Sequence, residues 1–169
     1  MILRPAFPDD LDTVESYYTE LLTHEAATGH STTNWSLGVY PTRQTAADAL
    51  SCGTLWVLER EGAVVASVIL NHRQDDFYTR IDWQYPAQPE QVLVVHTLCI
   101  PPSLAGQGLG KACVSLIKQQ AAAMGAGVTE DGSMSLTLGT VGELVGRTDL
   151  LQVRAKWPIF AAGPCLQGN

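Results

Sequence analysis

The stretch from Gln91 to Met124 constrains the fold more than any other part of the sequence. Val92, Leu93, Val94 and Val95 run into His96-Thr97-Leu98-Cys99-Ile100, so residues 91–100 are almost continuously apolar. A strand apolar on both faces is a central strand covered on both sides. Pro101-Pro102 stops it, because proline has no N–H to give to a ladder. The segment Ala105-Gly106-Gln107-Gly108-Leu109-Gly110-Lys111-Ala112 then opens a helix. Its apolar positions, Leu109, Ala112, Cys113, Leu116, Ile117 and Met124, make one stripe. A buried strand feeding an amphipathic helix calls for a sheet with helices packed on it.

The neighbouring segments supply the other elements. Ile2 to Arg4 reads as an edge strand, and Pro8-Asp9-Asp10 as a helix start with acids in the first turn. Leu11, Val14, Tyr17, Tyr18, Leu21 and Leu22 recur at helical spacing, which predicts a helix over 9–26. Thr28 to Pro41 is rich in Gly, Ser, Thr and Asn and reads as a loop; its Trp35 and Tyr40 either line a pocket or pin the loop to the core. A short helix runs from Thr42 to about Ser51. Leu55–Arg60 and Ala63–Asn71 are strands joined by the hairpin signal Glu61-Gly62. Phe77 to Trp83 is a third strand candidate, Ser133 to Leu138 another, and Phe160 to Cys165 a last one. Periodicity is weak from about residue 140, so the tail is atypical.

With 169 residues, 46% hydrophobic and only 16% charged, the chain suits a single domain over 1–169 with one core. A net charge of −7, and no Lys- or Arg-rich run, exclude the basic footprint of a nucleic-acid binder and mildly favour cationic substrates. No apolar run reaches 18 residues and the N-terminus is not a signal peptide, so no membrane partner is expected and a cytoplasmic location follows by default. Cys52, Cys99, Cys113 and Cys165 show no CxxC spacing, so no metal site is expected; Cys99 and Cys113 read as reduced core thiols.

The glycine turn carries the chemistry. The first N–H groups of a helix have no backbone partner, and the dipole adds positive charge there. Glycines let a phosphate approach without a Cβ in the way. The phosphate-loop pattern needs glycine where Ala105 stands. The dinucleotide fingerprint fails in both frames, because Gly106 and Gly108 lead to Lys111, and Gly108 and Gly110 to Cys113. What remains is either another diphosphate ligand or a turn with no ligand at all.

The run from Leu98 to Ala112 resembles the acetyl-coenzyme A motif of the GNAT family of N-acetyltransferases. That motif reads as an apolar strand, a proline, then Arg or Gln-x-x-Gly-x-Gly or Ala at the helix start. Gly108 and Gly110 match; Ala105 stands where the family usually has Arg or Gln. The order of elements over residues 1–140 fits as well. The resemblance implies an α/β (α+β) fold, with a mixed central sheet of about six to seven strands and helices on both faces. It implies acetyl-coenzyme A as co-substrate, held by Leu98, Cys99 and Ile100 along the pantetheine arm and by Ala105, Gly106, Gln107, Gly108, Leu109, Gly110 and Lys111 at the diphosphate. The thioester carbonyl would meet a strand amide at the splayed end of the central strand, an oxyanion-type contact. The acceptor would be an amine of a small molecule or peptide, attacking directly in a ternary complex. Trp35, Tyr40 and Trp83 are the candidate substrate-binding residues.

A lysine-like amine has a pKa of about 10.4, so about one molecule in 2,500 is neutral at pH 7 and a base is needed. His96 is the first candidate, two residues before the acetyl site; its alternative role is a structural histidine. Asp82 and Glu90 border the same edge, either acting through water or as solvated loop carboxylates. The family often uses a C-terminal Tyr to protonate the thiolate, but no Tyr follows Tyr85. The alternative reading is therefore a coenzyme-binding regulatory module with lost or weak catalysis. A nucleotide-binding protein of another fold is a third. Exposed strands near the tail are placed to pair across a homodimer.

Overall fold

The computed structural model describes residues 1–74, 92–124 and, as backbone, 137–138. Five strands form one sheet in the order β1 (Ile2–Pro5), β2 (Leu55–Arg60), β3 (Ala63–Asn71), β4 (Val94–Cys99) and β5 (Thr137–Leu138). The first four are antiparallel neighbours, and β5 runs parallel to β4 with Val94 opposite Thr137. The mixed sheet is as expected, and β4 is an interior strand, paired on both edges. The expected strands over 77–83 and 160–165 lie outside the described residues, so the count of six to seven is not reached among those described.

The period-two alternation of the strands splits the core into two layers. Trp56, Leu58, Val68, Leu70 and Val95 face α3 (Leu109–Ala123), where Leu109, Cys113, Ile117 and Ala121 are buried. Leu55, Val57, Ile69 and Cys99 face α1 (Leu11–Thr28) and α2 (Arg43–Ser51), meeting Val14, Tyr18, Ala46 and Ala49. Helices thus cover both faces. The α3 stripe steps by four residues from Leu109 to Ala121, and a fully buried side chain such as Ile117 contributes about 1.5–3 kcal/mol. Met124 was expected on this stripe but is 42% exposed, because it is the C-cap, past the last packed turn.

The local signals explain the boundaries. Glu61 and Gly62 both take left-handed backbone angles, φ 55° and 80°, as a two-residue turn of mirror-image type requires. A 3-10 turn, Pro8–Asp10, precedes α1. Asp10 does more there than complement a dipole: it accepts from Arg4 Nη1 at 2.7 Å and from the Phe7 amide at 2.7 Å. Arg4 also donates to Glu59 at 2.7 Å, so one guanidinium ties β1 to β2 and to the helix entry. α1 runs two residues beyond the expected end and stops at Gly29, left-handed at φ 66°.

Candidate functional site

β4 carries an irregularity at its centre. Ile69 pairs with His96, but Ser67 pairs with Cys99, so two residues of β4, Thr97 and Leu98, stand against Val68 alone. This is a β-bulge, which frees one residue from the ladder and redirects the strand. Thr97 sits in it at φ 49°. A β-branched residue in left-handed backbone costs about 1–2 kcal/mol, and such strain clusters at functional sites. The bulge turns His96, Thr97 and Cys99 toward the α1–α2 face, while Leu98 and Ile100 pack on the α3 side.

Thr97 has a partner across the bulge. Its Oγ1 shares a hydrogen bond of 2.6 Å with the Tyr40 hydroxyl. Tyr40 lies edge-on to Trp35, ring centroids 6.3 Å apart, and Trp35 packs on the α1–α2 core. Trp35 thus pins the loop to the core, and Tyr40 reaches the bulge. Glu25 fixes the loop's other end. Its carboxylate, buried near the end of α1, accepts from the amides of Thr32 and Thr33 at 2.8 and 3.1 Å and from both hydroxyls. Burial pushes that carboxyl up, but the Thr32 and Thr33 donors outweigh it and hold it below the usual range.

His96 is half-buried, and its Nε2 hydrogen-bonds the Asn71 side chain at 3.1 Å. Asn71 closes β3, so this bond ties the ring to the adjacent strand. Asp82, Trp83 and Glu90 lie outside the described residues. Cys99 is fully buried, and burial first, then Glu20 and Glu25, push its thiol up to about 12. Burial does the same to Cys113, also to about 12. Neither thiol is a nucleophile at neutral pH, and Cys99 can offer a ligand only its backbone. Tyr18 Oη and Ser67 Oγ of β3 are buried close to one another, and among the described residues neither makes a hydrogen bond of good geometry.

Beyond β4 the chain makes the turn that the sequence anticipated. Pro101 is buried, Pro102–Leu104 form a 3-10 turn, and the Ser103 amide donates to Glu20 Oε1 at 2.6 Å. Gly106 and Gly108 are left-handed at φ 76° and 74°, and a Cβ added to either would meet nothing within 4 Å. Gly108 is the N-cap of α3 and offers no side chain to it. Ala105, Gly106, Gln107, Gly108 and Lys111 are exposed, whereas Leu109 and Gly110 are buried. The helix begins only at Leu109, so the four residues before it form the turn itself.

Its electrostatics are unusual for this acidic chain. The entry to α1 carries Asp9, Asp10 and Asp12. The first turn of α3 carries no acid, and its third residue is Lys111. A cation at that position opposes the helix dipole, and an anion there is stabilised by it. Helix-start amides with no side-chain cap, two left-handed glycines and a lysine thus come together at the start of α3.

The turn follows a bulged central strand in a mixed sheet, and a family profile agrees with that arrangement. The profile of the Acetyltransferase (GNAT) family matches residues 15–131. The chain belongs to this family. Acyl transfer is the chemistry of the family, and the matched span contains the bulge, the glycine turn and α3. Among solved structures, a GNAT-family acetyltransferase of Streptococcus agalactiae 2603 superposes with a TM-score of 0.60 at 21% identity, over 70% of this chain and 68% of that one. A Staphylococcus aureus Mu50 protein assigned as an acetyltransferase gives 0.55 at 21% identity, over 75% of each chain. These likenesses establish the fold. Comparison with curated proteins finds no match. Among the described residues no helix is long and apolar enough to cross a membrane.

Sequence reading missed three features of the site. The bulge has no residue signature, since Thr97 is a poor choice for left-handed backbone. The Tyr40–Thr97 bond joins residues 57 apart. Arg60 donates from Nη2 to Gln107 Oε1 at 2.8 Å, bringing β2 to the glycine turn.

Proposed function

We propose that this chain transfers an acetyl group from acetyl-coenzyme A to a primary amine of a small molecule or peptide, as one domain, without a covalent enzyme intermediate. The observation that carries the reading is the left-handed pair Gly106 and Gly108, which opens the uncapped amides of α3 directly after the bulged strand. The turn holds the diphosphate. The pantetheine arm lies along Leu98 to Ile100, and the thioester carbonyl meets a β4 backbone amide that the bulge leaves out of the ladder. As the amine nitrogen bonds to the acetyl carbon, the carbon–sulfur bond breaks and coenzyme A leaves as thiolate.

His96 takes the amine proton in this scheme. Its place beside the bulge and its tether to Asn71 support the role. Asp82 and Glu90 are the alternative bases, acting through water. Direct transfer is supported by the two buried thiols, whose protonation removes them as acyl acceptors. The second reading, a coenzyme-binding module without turnover, is favoured by one observation: no Tyr follows Tyr85 to protonate the leaving thiolate.

One experiment tests both. The protein is mixed with acetyl-coenzyme A and a panel of amines, and free thiol is followed. Thiol release that depends on the amine supports transfer. Thermal stabilisation by the coenzyme with no thiol release supports the second reading, and neither effect refutes both.

A further inference from the structure

Among the described residues, Arg60 is an arginine without an acid. Arg4 is held by Asp10 and Glu59, and Arg43 by Asp12 and Glu15. Arg60, the last residue of β2, meets the neutral Oε1 of Gln107 and no acid among the described residues. Gln107 stands between the two left-handed glycines, and Lys111 lies exposed one helical turn further on. The guanidinium is thus placed at the mouth of the turn, with donors to spare and no carboxylate partner among the described residues. A planar fork of this kind matches the oxygens of a phosphate, and a neutral amide anchor positions it without neutralising it.

We propose that Arg60 is a phosphate-binding residue for the coenzyme, delivered to the glycine turn from the β2–β3 hairpin and held in place by Gln107. It supplies, from 47 positions away in the chain, a cation that the turn does not contain at Ala105. The inference rests on the coenzyme reading of the turn. The rival role is mechanical: Arg60 would only staple the turn to the hairpin.

Titration calorimetry of wild type, Arg60→Gln and Arg60→Lys with acetyl-coenzyme A separates the two. A hydrogen-bonded contact to a charged group implies a loss of about tenfold or more in affinity for Arg60→Gln, and Arg60→Lys, which keeps the charge but not the fork, should recover only part of it. The ligand-free melting temperatures of both variants should stay within about 2 °C of wild type, as for surface substitutions of small effect. The affinity gap between wild type and Arg60→Gln should also shrink at high salt. Binding of Arg60→Gln within a factor of two of a wild type that does bind overturns the proposal and leaves the coenzyme site standing. Equal loss in both variants with a clear drop in ligand-free melting temperature also overturns it, in favour of the staple. A wild type that does not bind removes the coenzyme reading and this role together.

Discussion

Gly108 allows the fold and the ligand to be perturbed in opposite directions. Its φ is 74°, and an added Cβ would meet nothing within 4 Å. Gly108→Ala therefore carries no clash, only the cost of left-handed backbone in an L-residue, about 1–2 kcal/mol. For a chain of this size each 1 kcal/mol lowers Tm by about 2–4 °C, so Gly108→Ala should melt about 2–8 °C below wild type. Gly108→Glu carries the same backbone cost, but its carboxylate sits at the positive end of α3 and recovers about 0.3–1 kcal/mol. Without ligand, the glutamate variant should therefore melt at or slightly above the alanine variant. With acetyl-coenzyme A the order reverses: a methyl group crowds the diphosphate, and a carboxylate repels it as well. Scanning calorimetry and binding titration on the three proteins read both quantities. Gly108→Glu binding the coenzyme within a factor of two of Gly108→Ala would refute the placement of the diphosphate.

Three further outcomes are expected. His96→Ala should lower turnover at pH 7 by about 100-fold, the low end for loss of a general base, and much less at pH 9, where more amine is already neutral; equal losses at both pH values, read from initial rates, would remove His96 as the base. Asp10 is held below the usual carboxylate range chiefly by the Arg4 guanidinium, against the opposing effect of burial. Glu25 is held low because the Thr32 and Thr33 donors outweigh its burial. Groups lowered on folding stabilise above their ordinary values of 3.8 and 4.5, and that stabilisation drains away as pH falls below them. Urea denaturation between pH 6 and 3 should show this loss, weakened in Asp10→Asn and Glu25→Gln; a wild-type stability that stays flat to pH 3 contradicts it. Tyr18→Phe removes a buried hydroxyl that makes no well-formed hydrogen bond among the described residues, so Tm should hold or rise slightly; a loss above about 1 kcal/mol would mean that the hydroxyl is satisfied.

How much of this was legible in the sequence depended on range. The β2–β3 hairpin was readable because Glu61-Gly62 sets the turn locally and the strands follow. The helix at Leu109 was readable because burial every four residues leaves a periodic stripe, although Met124 showed that periodicity does not report where packing ends. The glycine turn was visible as residues, and the structure added the two left-handed angles and the uncapped helix end. The bulge was not visible, because it arises from a mismatch in register between β3 and β4 and not from any residue preference at Thr97. Glu25 looked like one more surface acid of a helix, since its partners lie in a loop beyond the helix end. Arg60 meeting Gln107 depends on where a hairpin and a turn 47 residues apart are brought by the sheet, which no local pattern encodes.

What the turn before α3 holds decides the function, and amide chemical shifts measure that residue by residue. On titration with acetyl-coenzyme A, nitrogen–proton spectra should show the largest displacements at Gly106 to Lys111, with a second group at Leu98 to Ile100. Saturable binding whose displacements fall elsewhere, with Gly106 and Gly108 unmoved, would contradict the coenzyme reading of the turn.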